Sequence, residues 1–118
     1  MGKSTAMERI MNRGDVWYVN LGGKTGKRPA VILTRQNVLG FLNKVTVAEV
    51  TTKGKGYPTE VFVGQNANLP KTSFVQTDNL QTVSKQRLVK YLGTLDSVTM
   101  KEVSKKVILA LELEGIFK

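Results

Sequence analysis

Through most of the chain apolar and polar residues alternate in short bursts, and near the end the period changes. Residues 14–20 (Gly-Asp-Val-Trp-Tyr-Val-Asn) are rich in β-branched and aromatic side chains and are stopped by Gly22-Gly23, which predicts a first strand. Residues 29–34 are nearly all apolar and predict a second; the short gap between the two makes them an antiparallel hairpin. Residues 35–43 show no clear period and read as a loop with one helical turn. Further short strands are predicted at 45–52, 59–63, 73–77 and 92–95, punctuated by Gly, Pro, Asn and Lys, with a helical turn at 85–88. From Ser97 the period is helical, placing Met100, Val103, Val107, Ala110 and Leu111 on one face. Asp96 or Ser97 is the expected cap, Thr99 and Glu102 have capping-box spacing one turn in, and Gly115 is the expected stop. Strands this short and closely spaced predict a mainly β (α+β) fold, a small closed antiparallel barrel with a C-terminal helix, because closure hides sheet edges.

Composition narrows what such a fold can do. At 118 residues and 41% hydrophobic content the chain fits one domain with a single core, with no internal repeat or linker. Residues 13–118 form that domain, and residues 1–12 read as a flexible arm, a remnant of cloning or an early start site. Lys and Arg total 18 against 9 acids, a formal charge of +9 that favours polyanions such as nucleic acid. The chain has no cysteine and no histidine, so disulfides, thiolate sites and imidazole catalysis are excluded, and a metal would have to be held by carboxylates alone. No metal and no cofactor is expected, and any catalysis has to run on Arg, Lys, Thr, Ser, Tyr, carboxylates or backbone. No apolar run approaches the roughly 20 residues that span a bilayer, and residues 1–12 lack the apolar centre of a signal peptide, so a cytoplasmic location is expected.

Two polar stations interrupt the apolar framework: Gly23-Lys24-Thr25-Gly26-Lys27-Arg28-Pro29 and Thr51-Thr52-Lys53-Gly54-Lys55-Gly56-Tyr57-Pro58. The first is no P-loop, since Tyr18 stands where the leading glycine belongs. Arg28 directly precedes Pro29, so its planar five-donor head starts from a fixed anchor and suits two oxygens of a phosphate, although an arginine on a hairpin turn is also ordinary surface. Thr51 and Thr52 end a strand. Because side chains alternate, only Thr51 shares a face with Glu49. Lys53-Gly54-Lys55-Gly56 has the composition of an anion-binding loop, in which glycines let N–H groups approach oxygen, and equally of a solvated turn. Trp17, Tyr18, Tyr57, Phe62 and Phe74 have the chemistry to stack on unpaired bases; the core is expected to claim most of them, leaving Tyr57 in its polar loop.

Taken together and in order, Arg13-Gly14-Asp15-Val16-Trp17, Arg28-Pro29-Ala30-Val31-Ile32-Leu33, Val47-Ala48-Glu49-Val50-Thr51-Thr52, Thr59-Glu60-Val61 and the run from Asp78-Asn79 to Arg87-Leu88 resemble the MazF/PemK (mRNA interferase) family of toxin endoribonucleases from toxin-antitoxin systems. The resemblance covers roughly residues 13–113 and implies an SH3-like barrel that dimerises, cuts single-stranded RNA at short motifs without metal, and is silenced by an antitoxin. It carries the family's catalytic arginine onto Arg28 and its catalytic threonine onto Thr51, and puts Asp78-Asn79 where members carry an acid and an amide that contact substrate. The first loop is shorter than in many members, and the Ser-Glu-Gln stretch often found there is missing.

The resulting expectation is a metal-independent endoribonuclease in which the ribose 2'-OH attacks the adjacent phosphorus. Arg28 would stabilise the phosphoryl charge and Thr51 would orient the scissile group. A guanidinium stays protonated and is a poor proton acceptor, so Glu49 or Asp78 is the candidate base or electrostatic helper. Lys24, Lys27, Lys53 and Lys55 are the expected backbone contacts to RNA. Thr52, Tyr57, Asn79 and Gln81 complete the expected RNA surface. The partners are single-stranded RNA, a cognate acidic antitoxin and a second copy of the chain. Two rivals stand beside this reading: a gyrase-poisoning toxin on the same barrel, which has no need of Arg28 and Thr51, and a non-catalytic nucleic-acid-binding module.

Overall fold

The computed structural model describes residues 10–115. Val16, Trp17 and Val19 give β1 (Asp15–Asn20) its β character, and β2 (Lys27–Ile32) returns antiparallel to it through a loop in which Gly22, Gly23 and Gly26 all have positive φ. A 3-10 turn (Gln36–Val38) leads to β3 (Lys44–Thr51), followed by β4 (Glu60–Gly64), a second 3-10 turn (Asn66–Asn68), and β5 (Ser73–Ser84). A third turn (Lys85–Arg87) precedes β6 (Leu88–Thr94), and α1 (Ser97–Ala110) ends the fold. The strands form one six-stranded antiparallel sheet in the order β4-β5-β3-β2-β1-β6.

Both faces of this sheet carry core. On the helix face Val16, Val31, Ala48, Val50, Val61, Val63 and Val75 pack with Met100 and Val103 of α1. On the second face Trp17, Val19, Ala30, Ile32, Val45 and Val47 are buried with Met11, Leu39 and Leu88. Alternation along β1 to β4 sorts their residues between the two sides, and bulges shift it in β5 and β6. The Arg13–Trp17 motif serves this packing. Arg13 Nε donates to Leu33 O and Nη2 to Ser104 Oγ, both at 3.0 Å, tying the chain entry to α1. The buried Asp15 carboxylate accepts from Asn12 N at 2.9 Å and Thr94 Oγ1 at 2.7 Å. Met11 is packed within the second-face core and Asn12 N bonds to Asp15, so these two residues join the fold where a loose arm was expected; residues 1–9 lie outside the described residues.

The curled sheet does not close by a ladder. Its edge strands β4 and β6 are joined through the Asn66–Asn68 turn: Asn68 Nδ2 donates to Leu92 O at 2.8 Å, and Gly93 lies against the backbone of Ala67. The closed barrel expected from the sequence is thus a sheet curled almost on itself, with backbone contact in place of the last strand pairing. Four elements also differ in bounds by two residues or more. β2 starts two residues earlier than predicted and takes in Lys27 and Arg28. The strand expected at 73–77 continues to Ser84, because its far half presents Asn79, Gln81 and Thr82, whose polarity reads as loop. β6 begins at Leu88 rather than Leu92. α1 stops at Ala110, ahead of Gly115, and Glu112 takes the positive φ of 56° that ends it. Of the two candidate caps Asp96 does the work: its Oδ1 accepts from Thr99 N at 2.7 Å, and that bond holds its carboxyl below the ordinary value. Glu102 reaches forward to Lys106 at 3.6 Å instead of closing a capping box. No helix among the described residues is long and apolar enough to cross a membrane.

Candidate active site

The second face changes character at one end. Its buried strip runs through Ala30 and Val47, and beyond it stand Glu49 and Thr51 on β3 and Arg28 on β2. The last ladder pair between these strands is Ala30 with Glu49, following Val31 with Ala48. The ladder stops there; its register, continued two residues, matches Arg28 with Thr51, on the same face as Glu49. Arg28 is exposed, and its side chain has no hydrogen-bond or ion-pair partner among the described residues. Thr51 is half-buried, and its Oγ1 accepts from Lys53 N at 3.0 Å, which turns the chain out of β3. Glu49 is only 9% exposed, and its Oε2 accepts from Gln81 Nε2 at 2.6 Å. Gln81 therefore spends its amide on Glu49. Its neighbour Asn79 is exposed, with no side-chain partner among the described residues.

A step in β5 brings the acid-amide pair to this end. Ala48 pairs with Leu80, but Val50 pairs with Val75, so β5 carries extra residues across from Glu49 and bulges there. Asp78 sits in that bulge, where Thr59 Oγ1 donates a short bond to its Oδ2. Tyr57, Thr59, Glu60, Gln76, Asp78 and Asn79 line a small cavity of about 60 Å³ beside it.

The segment 52–59 passes over β5, because β3 and β4 are not neighbours in the sheet. Gly54 rests on the ring of Phe74 so closely that a Cβ there would lie 2.9 Å from it. Lys55 N and Gly56 N both donate to the Glu60 carboxylate, at 2.9–3.0 Å. The amides expected to meet a phosphate thus hold an internal carboxylate, and the cations are what this loop presents outward: Lys53 and Lys55 are exposed, as are Lys24 and Lys27 across the site and Thr52 between. The sequence carries one sign of this clasp, an acid five residues beyond Lys55, and its meaning depends on a crossing that only the sheet order reveals.

Among the aromatics, Trp17 is fully buried, edge to face with Tyr91, and Tyr57 is 54% exposed. Phe62 departs from expectation. The core does not claim it; it is 65% exposed, more than Tyr57, because its neighbours Val61 and Val63 take the inward positions of β4. That alternation was present in the sequence and was the missed signal. The described residues include no group of three or more carboxylates placed to hold a metal ion.

Comparison with known proteins identifies the family. The family model described as PemK-like, MazF-like toxin of type II toxin-antitoxin system matches residues 12–111. A curated relative from Mycobacterium tuberculosis, named probable endoribonuclease MazF5, is 32% identical over 98 residues, covering 82% of this chain and 89% of the relative. Among solved structures, a mycobacterial endoribonuclease superimposes with a TM-score of 0.78 at 27% identity, covering 90% of this chain and 95% of the other. A second, a mycobacterial endoribonuclease in complex with its cognate antitoxin, has a TM-score of 0.78 at 30% identity, covering 87% of this chain and 96% of the other. The chain belongs to the PemK-like, MazF-like toxins of type II toxin-antitoxin systems.

Proposed function

We propose that this toxin is an endoribonuclease that cuts single-stranded RNA in the cytoplasm at short sequence motifs, without a metal, and leaves 2',3'-cyclic phosphate and 5'-OH ends. The observation that supports the proposal is the register of β2 on β3: Ala30 pairs with the buried Glu49, and the same register continued two residues matches the unpartnered Arg28 side chain with Thr51. In this chemistry the ribose 2'-oxygen forms a bond to phosphorus while the bond to the 5'-oxygen breaks. Charge collects on the non-bridging oxygens, where the Arg28 fork meets two of them, and Thr51 holds the phosphate for in-line attack. Glu49 takes the 2'-OH proton. Asp78, exposed in the β5 bulge and bonded by Thr59, serves as an electrostatic helper; water protonates the departing 5'-oxygen, and Glu49 releases its proton to solvent.

The four exposed lysines, Lys24 and Lys27 around the start of β2 and Lys53 and Lys55 in the loop after β3, offer phosphate contacts on both sides of the cut. Incubating the pure protein with a long, weakly folded RNA in excess EDTA tests the reading. Discrete cuts are expected; retarded but intact RNA favours a binding module, and neither outcome favours a gyrase poison.

The active form is a homodimer, supported by the apolar side chains a lone chain leaves in water: Phe41, Leu42, Ile108, Leu109 and Leu111 are all more than 40% exposed. Sedimentation showing only a 13.0 kDa species at micromolar concentration would contradict it. The antitoxin is acidic, partly disordered when free, and occupies the lysine-lined surface around Arg28. Changing Lys24, Lys27, Lys53 and Lys55 together to alanine is expected to weaken RNA and antitoxin binding alike; loss of RNA binding alone counts against a shared surface.

A further inference from the structure

Phe62 and Phe74 continue the catalytic row across the sheet. The ladder pairs Thr51 with Phe74 and Phe74 with Phe62. Three neighbouring strands therefore set a hydroxyl and two aromatic rings side by side, about 5 Å apart per strand. All three stand on the face opposite α1, since Val50, Val75 and Val61 beside them fill the helix-face core. The two rings meet edge to face, with centroids 5.5 Å apart and planes at 68°. Gly54 covers Phe74, while the ring of Phe62 lies over Gly64, where no side chain competes for the space. Phe62 is left as a braced, solvent-facing ring at the end of the row, with Lys53 and Lys55 in the loop that crosses beside it.

Resting on the RNA-cleavage reading, we propose that Phe62, braced by Phe74, is a stacking platform for one unpaired RNA base flanking the scissile phosphate. Every base has a π face, so such a platform grips without choosing sequence, and cations nearby take the phosphates on either side. It places part of the substrate affinity on β4, away from the reacting atoms. In the cleavage reaction Phe62 therefore acts as a binding residue and takes no part in the chemistry.

The test uses a short RNA spanning one mapped cut, made uncleavable by 2'-deoxy substitution at the nucleotide 5' to the break. Each flanking base in turn is replaced by an abasic site. Wild type is expected to lose about tenfold in affinity at one abasic position, the scale of a single base stack. Phe62→Ala is expected to lose about the same on intact RNA and to be indifferent to that abasic site. Phe62→Trp should restore the affinity and Phe62→Leu should not. A 2-aminopurine at that position should be quenched by wild type and not by Phe62→Ala. The platform is overturned if Phe62→Ala binds intact RNA as tightly as wild type, or if its loss is the same at every abasic position. It is overturned too if Phe62→Ala changes the sedimenting species, which would give the ring to a second copy. Wild type that cuts RNA while Phe62 proves indifferent removes the platform alone; wild type that neither binds nor cuts RNA removes the cleavage reading and the platform with it.

Discussion

Arg28→Ala is expected to lower the single-turnover cleavage rate by on the order of 100- to 1,000-fold, the scale of losing one well-aimed donor to a developing oxyanion. The melting temperature should stay within about 3 °C of wild type, because surface substitutions away from packed features change stability little. The separation of the two effects follows from the structure. Arg28 is exposed and packs in neither core cluster, and its side chain has no partner among the described residues, so its removal takes nothing from the fold. Arg28→Lys should recover little, since an ammonium supplies charge without the planar fork that meets two phosphoryl oxygens together. Thr51→Ala should also cut poorly, whereas Thr51→Ser keeps the hydroxyl that accepts from Lys53 N and should retain much of the activity. Wild-type cutting by Arg28→Ala, in a preparation shown free of other nucleases, removes the arginine from the mechanism.

Gly93→Ala is expected to be the most damaging single methyl in the described structure. A Cβ at Gly93 would lie 2.7–2.8 Å from the carbonyl carbon, Cα and carbonyl oxygen of Ala67. Those are backbone atoms, held in a turn where Ala67 and Asn68 already have positive φ, and no rotamer change can move them aside. Forcing a methyl into that contact costs about 2–3 kcal/mol, within the range of overpacked interiors. For a domain of this size the loss should lower Tm by on the order of 10 °C. It should also loosen the junction between β4 and β6, seen as faster amide exchange at Leu69, whose N–H bonds to Asn66 O within that turn. Gly54→Ala is the informative control: its Cβ meets a side-chain ring instead of backbone, so Phe74 can shift and the cost should be smaller. Equal melting temperatures for Gly93→Ala and wild type would show that the sheet is not closed through this contact.

What the sequence carried, and what it did not, follows from how far each feature reaches. Val16, Trp17 and Val19, or Val45 and Val47, announce strands by their own neighbours, and α1 announces itself through Met100, Val103 and Val107. The far half of β5 does not. Its Gln81 and Thr82 look like loop until β3 is beside them, where Gln81 pairs with Val47 and Thr82 with Thr46. Arg28 and Thr51 were legible as residue types at suggestive places, but their opposition depends on a register fixed by Val31 and Ala48, so no local pattern contains it. The Glu60 clasp was hidden for the same reason. A glycine-lysine loop advertises free amides, and only the path of 52–59 over β5 brings a carboxylate to fill them. Phe62 was legible and misjudged: the Val-Phe-Val alternation points it away from the core, and the expectation that the few aromatics would be buried outweighed that signal.

The central claim is that the 2'-oxygen of the substrate is the nucleophile, and the chemistry of the ends tests it most directly. A short RNA spanning a mapped cut is incubated with the protein in excess EDTA, alongside the same RNA with a single 2'-deoxy at the nucleotide 5' to the break. The account predicts a 2',3'-cyclic phosphate on the upstream fragment, a 5'-OH on the downstream one, and no cut in the 2'-deoxy substrate. A 5'-phosphate on the downstream fragment, or unchanged cutting of the 2'-deoxy substrate, would mean that activated water attacks instead, and would contradict the roles assigned to Arg28, Thr51 and Glu49.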